Sequence, residues 1–267
     1  FVHVLEYIQS LNERSEKGEL EITALSIHQY PFVADKYALT SCGSSMGDGY
    51  GPMVVANRKL DLRELIAPVT TPTPEKRNRP RLAIPGKRTT AWLALQLRMH
   101  ELGAQPGPDS TIDYEVVPFD QIIEKVVAGE FDAGLIIHEG QLTYANAGLQ
   151  MIEDLGKWWT ETRKLPLPLG GKAIRRDMCD HMQPICAILL ESIRYALEHR
   201  DEAVEYALNY ARDMGKDLAD KFVGMYVNKW TLDYGDKGRA AVQQLLSEAA
   251  EANLIPDPGQ IDFVEPG

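Results

Sequence analysis

The sequence predicts an α/β protein of two lobes with a cleft between them, and three observations carry that expectation. Between residues 81 and 137 short apolar runs alternate with helix-period runs, the pattern of a parallel sheet with crossover helices. Two proline-rich stretches bracket this unit, TTPTPEKRNRP at residues 70–80 and LPLPLGG at 165–171. Beyond the second stretch the patterns are mainly helical. An inserted α/β unit reached by two crossings puts both ends of the chain in one lobe, residues 1–75 and 168–267, and the middle, 76–167, in the other. The cleft between two such lobes is the default ligand site.

Taken in order, residues 2–8 alternate weakly and are expected to open as a strand. A polar helix through 11–16 closes at Gly18, and 20–25 reads as a strand ending at Ser26. Residues 37–41 form a further strand that feeds the glycine-rich loop CGSSMGDGYG, after which 52–56 resumes as strand. The loop's four glycines disfavour helix, and Asp48 within it reads as solvated. Stretch 70–80 serves as a linker. The inserted unit then runs strand 81–84, helix 90–102, strand 112–117, helix 119–128 and strand 133–137, and LPLPLGG marks the return crossing. Amphipathic helices follow at 185–198, 201–212, 218–228 and 238–252.

Composition bounds the function. The chain has 267 residues, 44% hydrophobic and 25% charged, enough for two modest domains of a soluble globular protein. A formal charge of −11 argues against nucleic acid or an anionic membrane surface as a partner, since both need clustered Lys and Arg. No stretch approaches the ~18 apolar residues of a membrane span, and the first residues show no basic-then-apolar leader pattern. An anionic small molecule stays allowed, because one helix terminus can outweigh the global field at short range. Cys42, Cys179 and Cys186, without a CxxC pair, suit a reducing compartment. The segment DMCDHMQPIC matches no standard zinc spacing and reads as a helix start, with Cys186 in the core.

The chemistry concentrates where strands end. In FDAGLIIHEGQLTY, residues 131–144, an apolar strand runs directly into His138 and Glu139, and Gly140 lets the chain turn. In open α/β sheets ligands sit beyond the carboxyl ends of strands. His138 therefore reads either as a titrating group in a site or as a hydrogen-bonded strand-end histidine. The segment IPGKRTTA, residues 84–91, fails as a Walker motif, because position 81 is Arg and Lys87 precedes Arg88. What remains is a helix N-terminus with unpaired N–H groups, either an ordinary threonine cap or an anion site. Trp158 and Trp159 could cover a flat ligand or pack a hinge, and Asn228 could orient a ligand or cap a helix C-terminus.

A family resemblance ties these segments together. AGLIIHEGQLTY at 133–144, DLGKWWTETRKLPLPLGG at 154–171, TALS at 23–26, IPGKRTTA at 84–91 and YVNKWTLDYG at 226–235 resemble, in that order, the 1,4-dihydroxy-6-naphthoate synthase family of the futalosine route to menaquinone. The resemblance spans nearly the whole chain. It implies a periplasmic-binding-protein-like type II fold, a cytoplasmic lyase, and an anionic small-molecule substrate, cyclic dehypoxanthinylfutalosine. Cleavage of carbon–carbon bonding and aromatisation then give the naphthoate. It implies no redox cofactor and no metal. His138 becomes the general base, Ser26 a binding hydroxyl, and Thr89, Thr90 and the Ala91 amide the anion site. His28 inherits no role and reads as a surface or packing residue in the following helix. Family members begin with a strand and a loop like Ser-x-Cys-Pro-Asn-Asp-Thr-Phe. This chain starts inside the family's second strand, so an N-terminal piece is expected to precede Phe1. Two competing readings share the fold: a non-catalytic solute receptor, and the related dehydratase acting on chorismate-derived substrates.

Overall fold

A computed structural model describes residues 1–66, 80–104, 112–209 and 215–267. Its strands are β1 (Ile22–Ser26), β2 (Tyr37–Thr40), β3 (Ser45–Gly47), β4 (Met53–Ala56), β5 (Arg81–Ile84), β6 (Asp113–Val116), β7 (Ala133–Ile136), β8 (Gln150–Asp154), β9 (Leu167–Arg175) and β10 (Phe263–Val264). The helices are α1 (Ile8–Lys17), α2 (Thr90–Glu101), α3 (Ile122–Val127), α4 (Gly140–Thr143), α5 (Leu155–Arg163), α6 (Met182–Glu198), α7 (Arg200–Leu208), α8 (Lys216–Tyr226), α9 (Lys229–Leu232) and α10 (Gly235–Glu251). The strands form two sheets. One has the order β1-β9-β2-β10, with β3 also pairing β9; the other runs β6-β5-β7-β4-β8.

Burial explains which elements join the halves. Helix α2 buries eight of its residues, from Thr90 to Met99, on nearly every side. A helix apolar all round belongs between layers rather than on a surface. It shares one continuous core with Leu25 and Leu39 of the first sheet, Leu82 and Leu135 of the second, and Val242 and Leu245 of α10. The outer face of the second sheet packs on α3 through Ile122 and Val126, and the outer face of the first packs on α6 through Ile185 and Cys186. Helix α1 stops where expected, at Gly18 with φ 67°, a left-handed conformation that glycine adopts without steric cost. Among the described residues no helix is long and apolar enough to cross a membrane.

Several elements depart from the sequence reading. Residues 2–8 form no strand: Val2 is 92% exposed, the Tyr7 carbonyl accepts from the Leu11 N–H, and Ile8 already opens α1. A period-2 pattern becomes a strand only when an edge is there to pair it. The glycine loop contains β3, held by β9. Strand β4 lies in the second sheet, between β7 and β8, so by sheet membership the first crossing falls between Gly47 and Met53 rather than at 75. The second sheet is mixed: β5 runs parallel to β6 and β7, while β4 is antiparallel to both its neighbours. LPLPLGG is not only a crossing, since from Leu167 it enters β9, the central strand of the first sheet. Pro168, which has no N–H, sits where the β3 register shifts between Ser45 and Met46, the kind of irregularity that tolerates proline. All but the last residue of the expected linker, and the end of the helix expected at 201–212, lie outside the described residues.

Candidate functional site

Between the sheets lies a cavity of about 340 Å³, within the range of small-molecule sites. Ser26, Thr89, Thr90, Ala91 and His138, brought from three separate segments, all line it. Gln141, the stretch Leu169 to Lys172 of β9, and Phe222 and Tyr226 of α8 also line it.

His138 follows β7 with φ 56°, a left-handed backbone that a residue with a Cβ adopts at a cost of about 1–3 kcal/mol. Such strain persists only where the surroundings impose it. The ring packs on Phe119 at 4.6 Å and faces Phe222 at 6.1 Å between centroids. Burial lowers the imidazole pKa below its ordinary value, and the Glu139 carboxylate opposes this without reversing it. The neutral ring is thus favoured at neutral pH. Among the described residues neither ring nitrogen has a hydrogen-bond partner, which leaves both for an occupant of the cavity.

The opposite wall is mostly tied. Asn12, completely buried on α1, donates from Nδ2 to Ser26 Oγ at 3.0 Å and to the Arg88 carbonyl at 3.3 Å, while its Oδ1 accepts from the Ser26 N–H at 3.0 Å. Ser26 Oγ keeps its own proton for the cavity. The His28 N–H donates to Thr90 Oγ1 at 3.2 Å, and His28 Nδ1 lies 3.1 Å from the Thr89 carbonyl, so the bond requires the proton on Nδ1. Burial pushes the His28 pKa down to about 4, with the nearby Arg88 adding to the shift and the Thr89 hydrogen bond opposing it. Of the surface and packing readings of His28, packing holds: it is a buried residue of a 3-10 turn, Ile27–Phe32, rather than of an α-helix, and joins the first lobe to the start of α2.

This network redefines what the threonines offer. Thr90 Oγ1 donates to the Leu169 carbonyl at 2.6 Å, and Thr89 Oγ1 donates to the Gly86 carbonyl at 2.8 Å while capping the Trp92 N–H at 3.3 Å. Both hydroxyl protons are committed inside the protein. The donors left at this helix start are the Thr90 and Ala91 N–H groups, which have no acceptor among the described residues.

Sequence reading did not single out Lys172, Gln141, Phe222 or Tyr226. Tyr226 donates to Gln141 Oε1 at 2.8 Å and packs against Phe222, making α8 an aromatic cover over the cavity. Phe222 and Tyr226 are four apart, the same spacing a core face would show, so only the fold reveals what they cover. Lys172 carried a signal: a lysine interrupting an apolar strand.

Neither tryptophan lines the cavity. The Trp158 indole donates to Glu101 at 3.0 Å and the Trp159 indole to the Pro166 carbonyl at 3.1 Å. Arg163 lies over both rings, 4.7 and 4.9 Å from their centroids, so the pair packs the junction beneath LPLPLGG. Asn228 caps the N-terminus of α9, accepting from the Trp230 N–H at 3.0 Å, and Asp48 accepts from the Trp230 indole at 3.3 Å. Among the described residues no three metal-ligating side chains gather; Cys186 is buried and Cys179 exposed.

The chain has relatives among known proteins. A family model described as menaquinone biosynthesis matches residues 1–251. A protein of Thermus thermophilus named 1,4-dihydroxy-6-naphthoate synthase is 36% identical over 96% of this chain and 86% of its own length. A Streptomyces coelicolor protein of the same name is 34% identical over 94% of this chain and 83% of its own. A solved structure from Archaeoglobus fulgidus superposes with TM-score 0.81 at 41% identity, covering 95% of this chain and 87% of the other. The fold also resembles receptors at low identity. The ligand-binding component of a Staphylococcus aureus import system, with zinc bound, has TM-score 0.66 at 12% identity over 96% and 82% of the two chains. The alkanesulfonate-binding protein of Xanthomonas axonopodis pv. citri, bound to MOPS, has TM-score 0.65 at 11% over 95% and 83%. At such identities the likeness concerns the fold alone, which is the periplasmic-binding-protein-like type.

Proposed function

The chain belongs to the menaquinone-biosynthesis family, beside relatives named 1,4-dihydroxy-6-naphthoate synthase, and on that membership we propose that it is a cytoplasmic lyase converting cyclic dehypoxanthinylfutalosine to 1,4-dihydroxy-6-naphthoate. The observation that carries the reading to particular atoms is His138, held in a strained backbone at a strand end with an unpaired ring whose neutral form burial favours. A neutral imidazole within reach of a substrate proton is a suitable acceptor at physiological pH.

In this reading His138 takes a substrate proton, the pair left behind forms a new π bond as a carbon–carbon bond breaks, and the pair of the broken bond stays on the other fragment, which recovers a proton from the imidazolium. The sugar-derived fragment departs, and the bicycle that remains becomes aromatic. The Ser26 hydroxyl and the Thr90 and Ala91 N–H groups hold oxygen atoms of the ligand, while Phe222 and Tyr226 cover its fused ring. Positioning on one wall and proton transfer on the other divide the work.

Incubating the protein with cyclic dehypoxanthinylfutalosine and following release of 1,4-dihydroxy-6-naphthoate tests the proposal. Stoichiometric-excess product is the expected result. Tight binding of some other solute with no turnover would favour the receptor reading instead.

A further inference from the structure

We propose that Lys172 is the counter-charge of the ligand's carboxylate, and therefore the residue by which the cavity selects an aromatic acid over its neutral analogue. The inference rests on the function proposed above and adds a residue and a selection rule to it. Among the described residues that line the cavity, Lys172 is the one amine; no Asp, Glu or Arg shares the wall. Its ammonium has no carboxylate or carbonyl partner among the described residues, in a chain with 39 acidic side chains against 28 basic ones. Burial holds its pKa below the ordinary lysine value. A desolvated ammonium without a counter-ion is unfavourable, and an arriving carboxylate relieves that cost.

Local geometry makes room for this lysine. Gly43 has φ +79°, and a Cβ there would stand 2.6 Å from Lys172 Cγ, so the stem lies directly across the glycine. In the antiparallel register Lys172 faces Ala24 and Gly170 faces Ser26. Residues two apart on a strand share a face, so Lys172 stands on the Ser26 side of the sheet, ~7 Å further along.

The start of α2 is the rival position for the carboxylate. A helix terminus amounts to roughly half a unit charge, and the Thr89 and Thr90 hydroxyl protons are already committed to protein carbonyls. A full charge in a water-poor cavity outweighs it. The α2 amides and Ser26 are then left for the ligand's neutral oxygens.

The test compares 2-naphthoate with 2-naphthamide by calorimetry, in wild type, Lys172→Met and Lys172→Arg. Wild type should prefer the acid. Lys172→Met should lose about 10- to 100-fold of that preference, the range for a charged hydrogen bond, while binding the amide as before. Lys172→Arg should keep a preference for the acid. Unchanged amide binding also reports that the methionine variant is folded, and Lys172→Gln serves the same comparison if methionine does not pack. A methionine or glutamine variant that keeps the full preference overturns the assignment to Lys172 alone. A wild type that binds neither compound, or both equally, overturns the aromatic-acid reading and this proposal with it.

Discussion

The wall of the cavity built by α1, β1 and the start of α2 differs in kind from the wall built by the end of β7 and by α8. On the first, Asn12, Ser26, His28, Thr89 and Thr90 form a buried network in which nearly every polar group already has a partner. On the second, an imidazole without a hydrogen-bond partner among the described residues stands among Phe119, Phe222 and Tyr226 on a strained backbone. A satisfied network fixes geometry but has few groups free to react. An unpaired, desolvated base can react but must be held by packing. The contrast teaches that residues lining one cavity need not share a role: under the function proposed here, one wall positions the ligand and the other exchanges a proton with it.

Breaking the positioning wall should be felt first as stability. His28 has a folded pKa of about 4 against an ordinary 6.5, so the unfolded chain binds its proton first as the pH falls. Its contribution is complete above about pH 6.5 and is lost on acidification towards pH 4, amounting to ~3 kcal/mol. His28→Asn keeps an N–H for the Thr89 carbonyl but removes the titration. Urea unfolding at pH 6.5 and pH 4 should therefore show wild type losing ~3 kcal/mol more than the variant. Equal losses would mean that His28 is not held neutral.

A smaller effect should follow from Asn12→Ala. It strips the partner from the Ser26 N–H and the Arg88 carbonyl, and leaving such groups unpaired costs about 1–3 kcal/mol. Because Ser26 loses its anchor, KM should rise by more than kcat falls, the signature of weakened positioning. Steady-state kinetics in which kcat alone collapses would erase the distinction between the walls.

The two walls were also unequally legible in the sequence. The strand ends were readable: an apolar run stopping at His138, another at Ser26, and a glycine turn before Thr89 each announce a side chain presented beyond a sheet. The inserted unit from 81 to 137 was readable because its buried runs alternate with helices. Strand β4 was recognisable as a strand but not as a member of the second sheet, since four apolar residues do not name their neighbours. Strand β8, QMIED, is half-exposed at the sheet edge and lacks an apolar run to mark it. The hydrogen bond that commits the Thr90 hydroxyl joins positions 79 apart in sequence, and no local pattern encodes it. For the same reason Asn12 looked like any polar helix residue, although it is completely buried.

The division of labour is tested most directly by His138→Asn, assayed for both turnover of cyclic dehypoxanthinylfutalosine and affinity for 1,4-dihydroxy-6-naphthoate. Asparagine keeps a polar side chain, tolerates the left-handed backbone at φ 56° and has no titrating group. The predicted result is a fall in kcat of ~10²-fold or more, with product affinity changed by less than about threefold. Turnover at the wild-type rate would contradict the assignment of proton transfer to His138.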